Sequence, residues 1–304
     1  MKKLVLLACA LLVLAASSYA QFTFTSIDFP GAKVTVVRGI NNHGEIVGDY
    51  GDSPLHSHAM LIKDGQFLPL APTTVLGTNY SEAFKINDRG DVVGYFLGDD
   101  GFFHGFLLRK GVLTILDFPG ASDTYAYGIN ESGTVAGSWD LLDSNGNLLA
   151  GHGYIWNNGN FSDVGFPGSA DTSVTGINAR GDFVGVWDEG STSPIAHGFV
   201  FSKGRFISFD VPFPGAPWTQ GNDINAVGHI VGSYGFASGP IHAFLAVGAT
   251  FTTIEYPGGA QTTVWGINSA GQIVGTYRDY LGGPVHGYLA QPISRVSVEE
   301  AKLE

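Results

Sequence analysis

Six of the nine histidines recur at one point of a repeated pattern: His58, His104, His152, His197, His242 and His286, each followed by Gly or Ala. Imidazole is a residue type that transition metals select, so a ligand ring is the first chemistry to weigh. The other three, His43, His56 and His229, lie in or beside turns and loops with no partner at ligand spacing. Two carboxylates, Asp123 and Asp171, stand at equivalent points of successive copies, with Glu82 one copy earlier. Glycoside hydrolysis needs two carboxylates about 5 to 9.5 Å apart, so these three residues define a glycan-processing hydrolase or lyase reading. Residues 143–147, Asp-Ser-Asn-Gly-Asn, alternate oxygen ligands as a calcium loop does. Leu148, however, stands where such a loop needs glycine, and no bidentate Glu follows. Neither Gly-x-Ser-x-Gly, His-Glu-x-x-His nor a phosphate-cradling glycine loop is present.

The columns that differ from copy to copy are more informative. Counting from the glycine of each Pro-Gly or its equivalent, position four is always Thr or Ser: Thr35, Ser81, Thr124, Thr172, Thr219 and Thr262. That constancy predicts a repeated structural hydroxyl bond. Position seven is instead Arg38, Phe84, Tyr127, Thr175, Asn222 and Trp265, while position three includes Asp123, Asp171 and Trp218, and position five includes Glu82. Unlike aromatic and polar side chains brought to one place make a small-ligand or glycan site. The candidate ligand-binding residues are therefore Arg38, Glu82, Asp123, Tyr127, Asp171, Trp218, Asn222 and Trp265. A further column, Tyr50, Phe96, Trp139, Trp187, Tyr234 and Tyr277, is aromatic throughout and reads as filling between sheets.

The elements that must position these side chains are written six times. Gly-Ile-Asn-Asn-His-Gly-Glu-Ile-Val-Gly at 39–48 returns at 85–94, 128–137, 176–185, 223–232 and 266–275. Asp-Phe-Pro-Gly-Ala at 28–32 returns at 117–121 and more loosely around Pro167, Pro214 and Pro257, while the second copy offers only Pro72 and Gly77. Asn-x-x-Gly is a turn joining two strands, and Asp64-Gly65, Lys110-Gly111, Asn158-Gly159, Lys203-Gly204 and Val247-Gly248 turn a third strand into a fourth. Four strands per ~45 residues is the size of a propeller blade. The expectation is an all-β chain: a single six-bladed β-propeller over residues 21–292. Its ring is closed by pairing an orphan N-terminal strand, Phe22 to Phe29, with the last blade, which lacks a fourth strand of its own. Residues 293–304 read as a solvated tail. On this architecture the histidine column lies on the third strand from the axis. A radius beyond ~10 Å keeps the imidazoles from sharing one metal, whose ligands stand ~2.1 Å away. The expected role is a buried histidine that hydrogen-bonds blade backbone, and no metal or cofactor is expected.

Composition agrees with a β protein. Of 304 residues 44 are glycine, 44% are apolar and 14% are charged. The net charge of −12, or −14 without Lys2 and Lys3, disfavours nucleic acid and anionic membrane. Lys2-Lys3, the apolar run from Leu4 to Ala16 and Ser-Ser-Tyr-Ala at 17–20 have the order of an export signal, predicting cleavage after Ala20 and a secreted or periplasmic chain with no membrane span. Cys9, the single cysteine, lies inside that segment, so thiol catalysis and disulfides are excluded from the remainder.

The block His242-Ala243-Phe244, with Gly-Ile-Asn-x-x-Gly-x-Ile-Val-Gly and Asp-Phe-Pro-Gly-Ala, resembles the extracellular HAF-repeat proteins of bacteria. The resemblance spans nearly all of residues 21–292 and implies export and a repeated β architecture. It transfers no reaction and no catalytic residue. The leading expectation is an exported, monomeric binding protein that recognises a glycan or small organic ligand at its channel mouth. The alternatives are a structural or adhesive envelope protein with extracellular partners, working through its outer loops, and the hydrolase or lyase using Asp123, Asp171 and Glu82.

Overall fold

A computed structural model describes residues 22–53, 56–70, 80–190, 195–236 and 239–293. The expected leader, Pro72, Gly77 and the tail beyond residue 293 lie outside the described residues. Those described form strands and turns without a helix, and none of them lies in a helix long and apolar enough to cross a membrane.

Each repeat is an antiparallel meander. In the first repeat the inner strand Val34–Ile40 pairs with Ile46–Ser53, then His56–Lys63, then Gln66–Pro69. In the first four repeats the tight turn between third and fourth strands has both central residues at positive φ, for example Asp64 at 51° and Gly65 at 73°. This is the backbone hand that matches strand twist. The sixth repeat has three strands of its own, Gln261–Ile267, Ile273–Arg278 and His286–Pro292, and its fourth place is taken by Phe22–Ile27. Six register pairs, from Phe22 against Pro292 to Ile27 against Gly287, join the two ends of the chain. The strand stops two residues short of the expected Phe29, because Asp28 and Phe29 leave the sheet for other contacts. The ladder does not run round as one sheet. Repeats three to five share hydrogen bonds through single parallel bridges, Gly151 with Asp171 and Ala196 with Trp218, and the others are separate four-stranded sheets.

The core lies between repeats. Val264, Ile273 and Tyr288 of the sixth pack on Val231, Ala243 and Ile254 of the fifth, and Val274 of the sixth packs with Val37 and Met60 of the first. Two polar devices accompany it. Each turn asparagine accepts N–H bonds from residues two and four further on where its Oδ1 is free to do so, as Asn130 does from Ser132 and Thr134 at 3.0 Å. Its Nδ2 then donates to the carbonyl of the next repeat's asparagine. Asn41 bonds Asn87, and the series runs on through Asn130, Asn178, Asn225 and Asn268, which donates back to Asn41, all at 3.1 or 3.2 Å.

The second device is built from the Asp-Phe-Pro-Gly block, and it corrects the expected role of the histidines. They are part-exposed, and in five of the six Nδ1 meets a carboxylate rather than backbone. His104 pairs with Asp117 at 2.9 Å, His152 with Asp163 at 2.9 Å, His197 with Asp210 at 2.9 Å, His242 with Glu255 at 2.6 Å and His286 with Asp28 at 2.7 Å. The aromatic directly before the proline of each Phe-Pro-Gly or Tyr-Pro-Gly crosses to the next repeat. Phe29 stacks on Tyr50 at 3.5 Å, Phe118 on Trp139 at 4.8 Å and Phe166 on Trp187 at 4.5 Å. The aromatic column thus fills seams as expected. The position-four hydroxyl completes the joint, with Phe29 N–H donating to Thr35 at 3.0 Å and Phe118 N–H to Thr124 at 2.9 Å.

Candidate functional site

All six inner strands share one irregularity. The register to the second strand slips between Val37 and Gly39, Ala83 and Lys85, Ala126 and Gly128, Val174 and Gly176, Gly221 and Asp223, and Val264 and Gly266. The residue skipped is always position seven. A bulge re-aims its side chain, and here six bulges send Arg38, Phe84, Tyr127, Thr175, Asn222 and Trp265 into one cavity of about 300 Å³. The neighbouring position eight is glycine in four repeats because the chains touch there. A Cβ on Gly266 would stand 2.5 Å from the Arg38 carbonyl oxygen, and one on Gly39 would stand 2.7 Å from that of Phe84. In the second and fifth repeats that position is Lys85 and Asp223, which form an ion pair across the cavity's inner end. Asp223 also accepts the Ile267 N–H at 2.9 Å.

The charged and aromatic groups of the wall lie against one another. Arg38, 8% exposed, donates from Nε to Asp49 and from Nη2 to Glu82, both at 2.8 Å, and lies over the rings of Phe84 and Trp265. Burial opposes its charge, but Asp49 and Glu82 outweigh that and hold the guanidinium charged. Glu82 accepts Tyr80 on one oxygen at 2.6 Å and Tyr95 on the other at 2.7 Å. Burial, followed by the Glu82 charge, keeps the Tyr80 and Tyr95 hydroxyls protonated far beyond neutral pH. Burial and the neighbouring Glu82 push Asp49 up to about 6, although Arg38 and Ser57 pull against them. In the fifth repeat, Asn222 donates from Nδ2 to the Val264 carbonyl at 2.5 Å and to Ser233 at 3.2 Å. Its Oδ1 and the Trp265 Nε1 are buried without a hydrogen-bond partner.

Of the eight candidate residues, five line this cavity: Arg38, Glu82, Tyr127, Asn222 and Trp265. Asp123, Asp171 and Trp218 do not. They share the face of position seven by strand alternation, but four residues along a strand is about 13 Å, which carries position three to the seam between repeats. There Asp123 accepts the Phe103 N–H at 2.7 Å, Asp171 and Trp218 bridge the third strand of the preceding repeat, and the Trp218 ring covers Gly235. Asp140 faces Asp123 and Asp171, and burial, then those two charges, push it up to about 6. Lys85 and Asp223 were not among the candidates. The signal was present, since both replace a glycine found in the other four copies. No group of three or more metal-ligating side chains occurs among the described residues. The Asp143 carboxylate accepts the N–H groups of Asn145 and Asn147 and the Asn147 side chain, so its own turn occupies it.

No protein-family model matches the sequence, and no curated protein matches it. Solved structures do. A gluconolactonase from Xanthomonas campestris superposes with a TM-score of 0.53 at 13% identity, covering 90% of this chain and 91% of that one. A protein of unknown function from Dyadobacter fermentans gives 0.51 at 14% identity, with 90% and 97% covered. A mutant Aleuria aurantia lectin in complex with α-methyl-L-fucoside gives 0.50 at 10% identity, with 87% and 93% covered. At these identities the likeness shows the fold alone. The chain is all-β, and its structural neighbours are β-propellers.

Proposed function

We propose that the chain is an exported, closed six-bladed β-propeller, residues 21–292 after removal of 1–20, that binds a small organic ligand or a glycan terminus in the cavity at its hub and performs no catalytic step. The observation that carries this reading is the convergence of six bulged, mutually unlike side chains on one cavity with a buried donor and acceptor left over. Structural walls repeat, whereas a wall built from one Arg, one Phe, one Tyr, one Thr, one Asn and one Trp is specific to something. The ion pair of Lys85 with Asp223 bars the inner end of the hub, which favours a blind cup over a conduit. A fucoside-binding lectin among the structural neighbours is in keeping with a sugar ligand. The hydrolase reading draws less support. Glu82 already serves Arg38, Tyr80 and Tyr95, and Asp123 and Asp171 stand at seams.

A ligand found by thermal-shift screening of glycans and small metabolites should bind at least about 30-fold more weakly to Trp265→Ala, the scale of a lost aromatic wall. Unchanged affinity would remove the hub from consideration. A second reading, an adhesive envelope protein acting through its loops, rests on Leu148, Leu149, Tyr280 and Leu281, apolar side chains 52 to 64% exposed in or directly beside loops. Partner retention lost on exchange of the 141–149 and 279–284 loops, and kept in Trp265→Ala, would favour it.

A further inference from the structure

Resting on the hub as a binding site, we propose that its ligand is an electrically neutral ring bearing hydroxyl or amide hydrogens, one sugar ring in size, held between Trp265 Nε1 and Asn222 Oδ1. The first argument is charge. The hub's two cations are both paired, Arg38 with Asp49 and Glu82 and Lys85 with Asp223, so three carboxylates face two cations and the surplus is negative. An anionic ligand would be stripped of water beside that surplus, with neither cation free to receive it.

The second argument is hydrogen-bond polarity. The Val264 carbonyl can only accept, so the Asn222 atom beside it must be the amide nitrogen, and the unpartnered atom is the carbonyl oxygen. Asn222 is 6% exposed, and an orphaned acceptor there is costly unless something donates to it. Trp265 Nε1, at the same bulge of the next repeat, can only donate. A group that meets both must accept and donate at once. A hydroxyl or a carboxamide does so, a carboxylate cannot donate, and an ammonium cannot accept. The third argument is shape. Phe84, Tyr127 and Trp265 put aromatic surface on the lining, and about 300 Å³ with a barred inner end admits one ring and no through-running chain.

The test uses the mature chain and matched probes: neutral hexoses and their methyl glycosides, the corresponding uronic acids, and the corresponding amino sugars, titrated calorimetrically to about 10 mM. At least one neutral member should bind, with its uronate counterpart about tenfold or more weaker, and an amine counterpart equally weakened where its ammonium replaces the hydroxyl between Trp265 and Asn222. Trp265→Phe, which keeps an aromatic wall but lacks the N–H, should weaken that binding about three- to tenfold at unchanged melting temperature, the worth of one hydrogen bond. Preference for the free sugar over the methyl glycoside would mark a monosaccharide ligand, and the reverse a glycan terminus. A charged probe binding as tightly as its neutral counterpart, or indifference to Trp265→Phe, overturns the proposal. If that charged probe is lost in Trp265→Ala and Phe84→Ala, the hub reading survives and only the neutral-ring inference falls. Absence of binding by every probe overturns both.

Discussion

Asp140 shows how a single residue can report on the seam it occupies. It gains nothing from its position, where burial and the charges of Asp171 and Asp123 favour the protonated form and push it up to about 6, against an ordinary 3.8. A carboxyl raised in the folded state contributes stability that is fully present below about pH 4 and is lost as pH rises through about 6. Asp140→Asn removes that dependence. Urea denaturation at pH 8 should find the variant more stable by about 1 kcal/mol, allowing for solvent screening, and equal to the parent near pH 4. A variant weaker at both pH values would show that Asp140 makes a bond the seam needs.

At the scale of elements, the repeated asparagine does two jobs, and they can be separated. Asn130 Oδ1 closes its own turn and Nδ2 reaches the next repeat. Asn130→Asp keeps the acceptor and loses the donor, while Asn130→Ala loses both. Chemical denaturation should rank them parent, Asp, Ala, with about 1 kcal/mol for the inter-repeat bond and about 2 to 3 kcal/mol for the full loss. Equal losses would assign the asparagine to the inter-repeat bond alone, and an Asp variant as stable as the parent would assign it to the turn alone. The turn job was legible, because Asn-x-x-Gly has a local mechanism. The inter-repeat job was not, because its partner lies 43 to 48 residues away and any carbonyl oxygen looks alike in a sequence. The histidines teach the same lesson. Their register was plain, but the carboxylates that five of them meet lie at or just before the Phe-Pro-Gly or Tyr-Pro-Gly turn, a spacing that has meaning only when the third and fourth strands lie side by side.

For the whole molecule, the proposed ring depends on its first strand. Removing Phe22–Ile27 would uncover Phe22, Phe24 and Ile27 contacts and leave His286–Pro292 as an open sheet edge. The truncated chain should lose roughly 4 kcal/mol and melt roughly 10 °C lower, with concentration-dependent association at the bared edge. A truncated monomer with unchanged melting would separate the strand from closure. Small-angle scattering of the intact chain should fit a squat disc, and a rod would contradict the ring.

Periodicity, turn chemistry and the distinction between constant and varying columns are properties of the chain read in order. They were enough to determine the strands, the repeat and the identity of five cavity-lining residues. Which varying residues actually meet was decided in three dimensions. Strand alternation places positions three, five and seven on one face without saying how far along that face each lies, and only the bulge turns position seven inward while position three stays at a seam. The departure of Lys85 and Asp223 from glycine shows in sequence order but their pairing does not, because the two side chains lie 138 residues apart and meet only across the cavity.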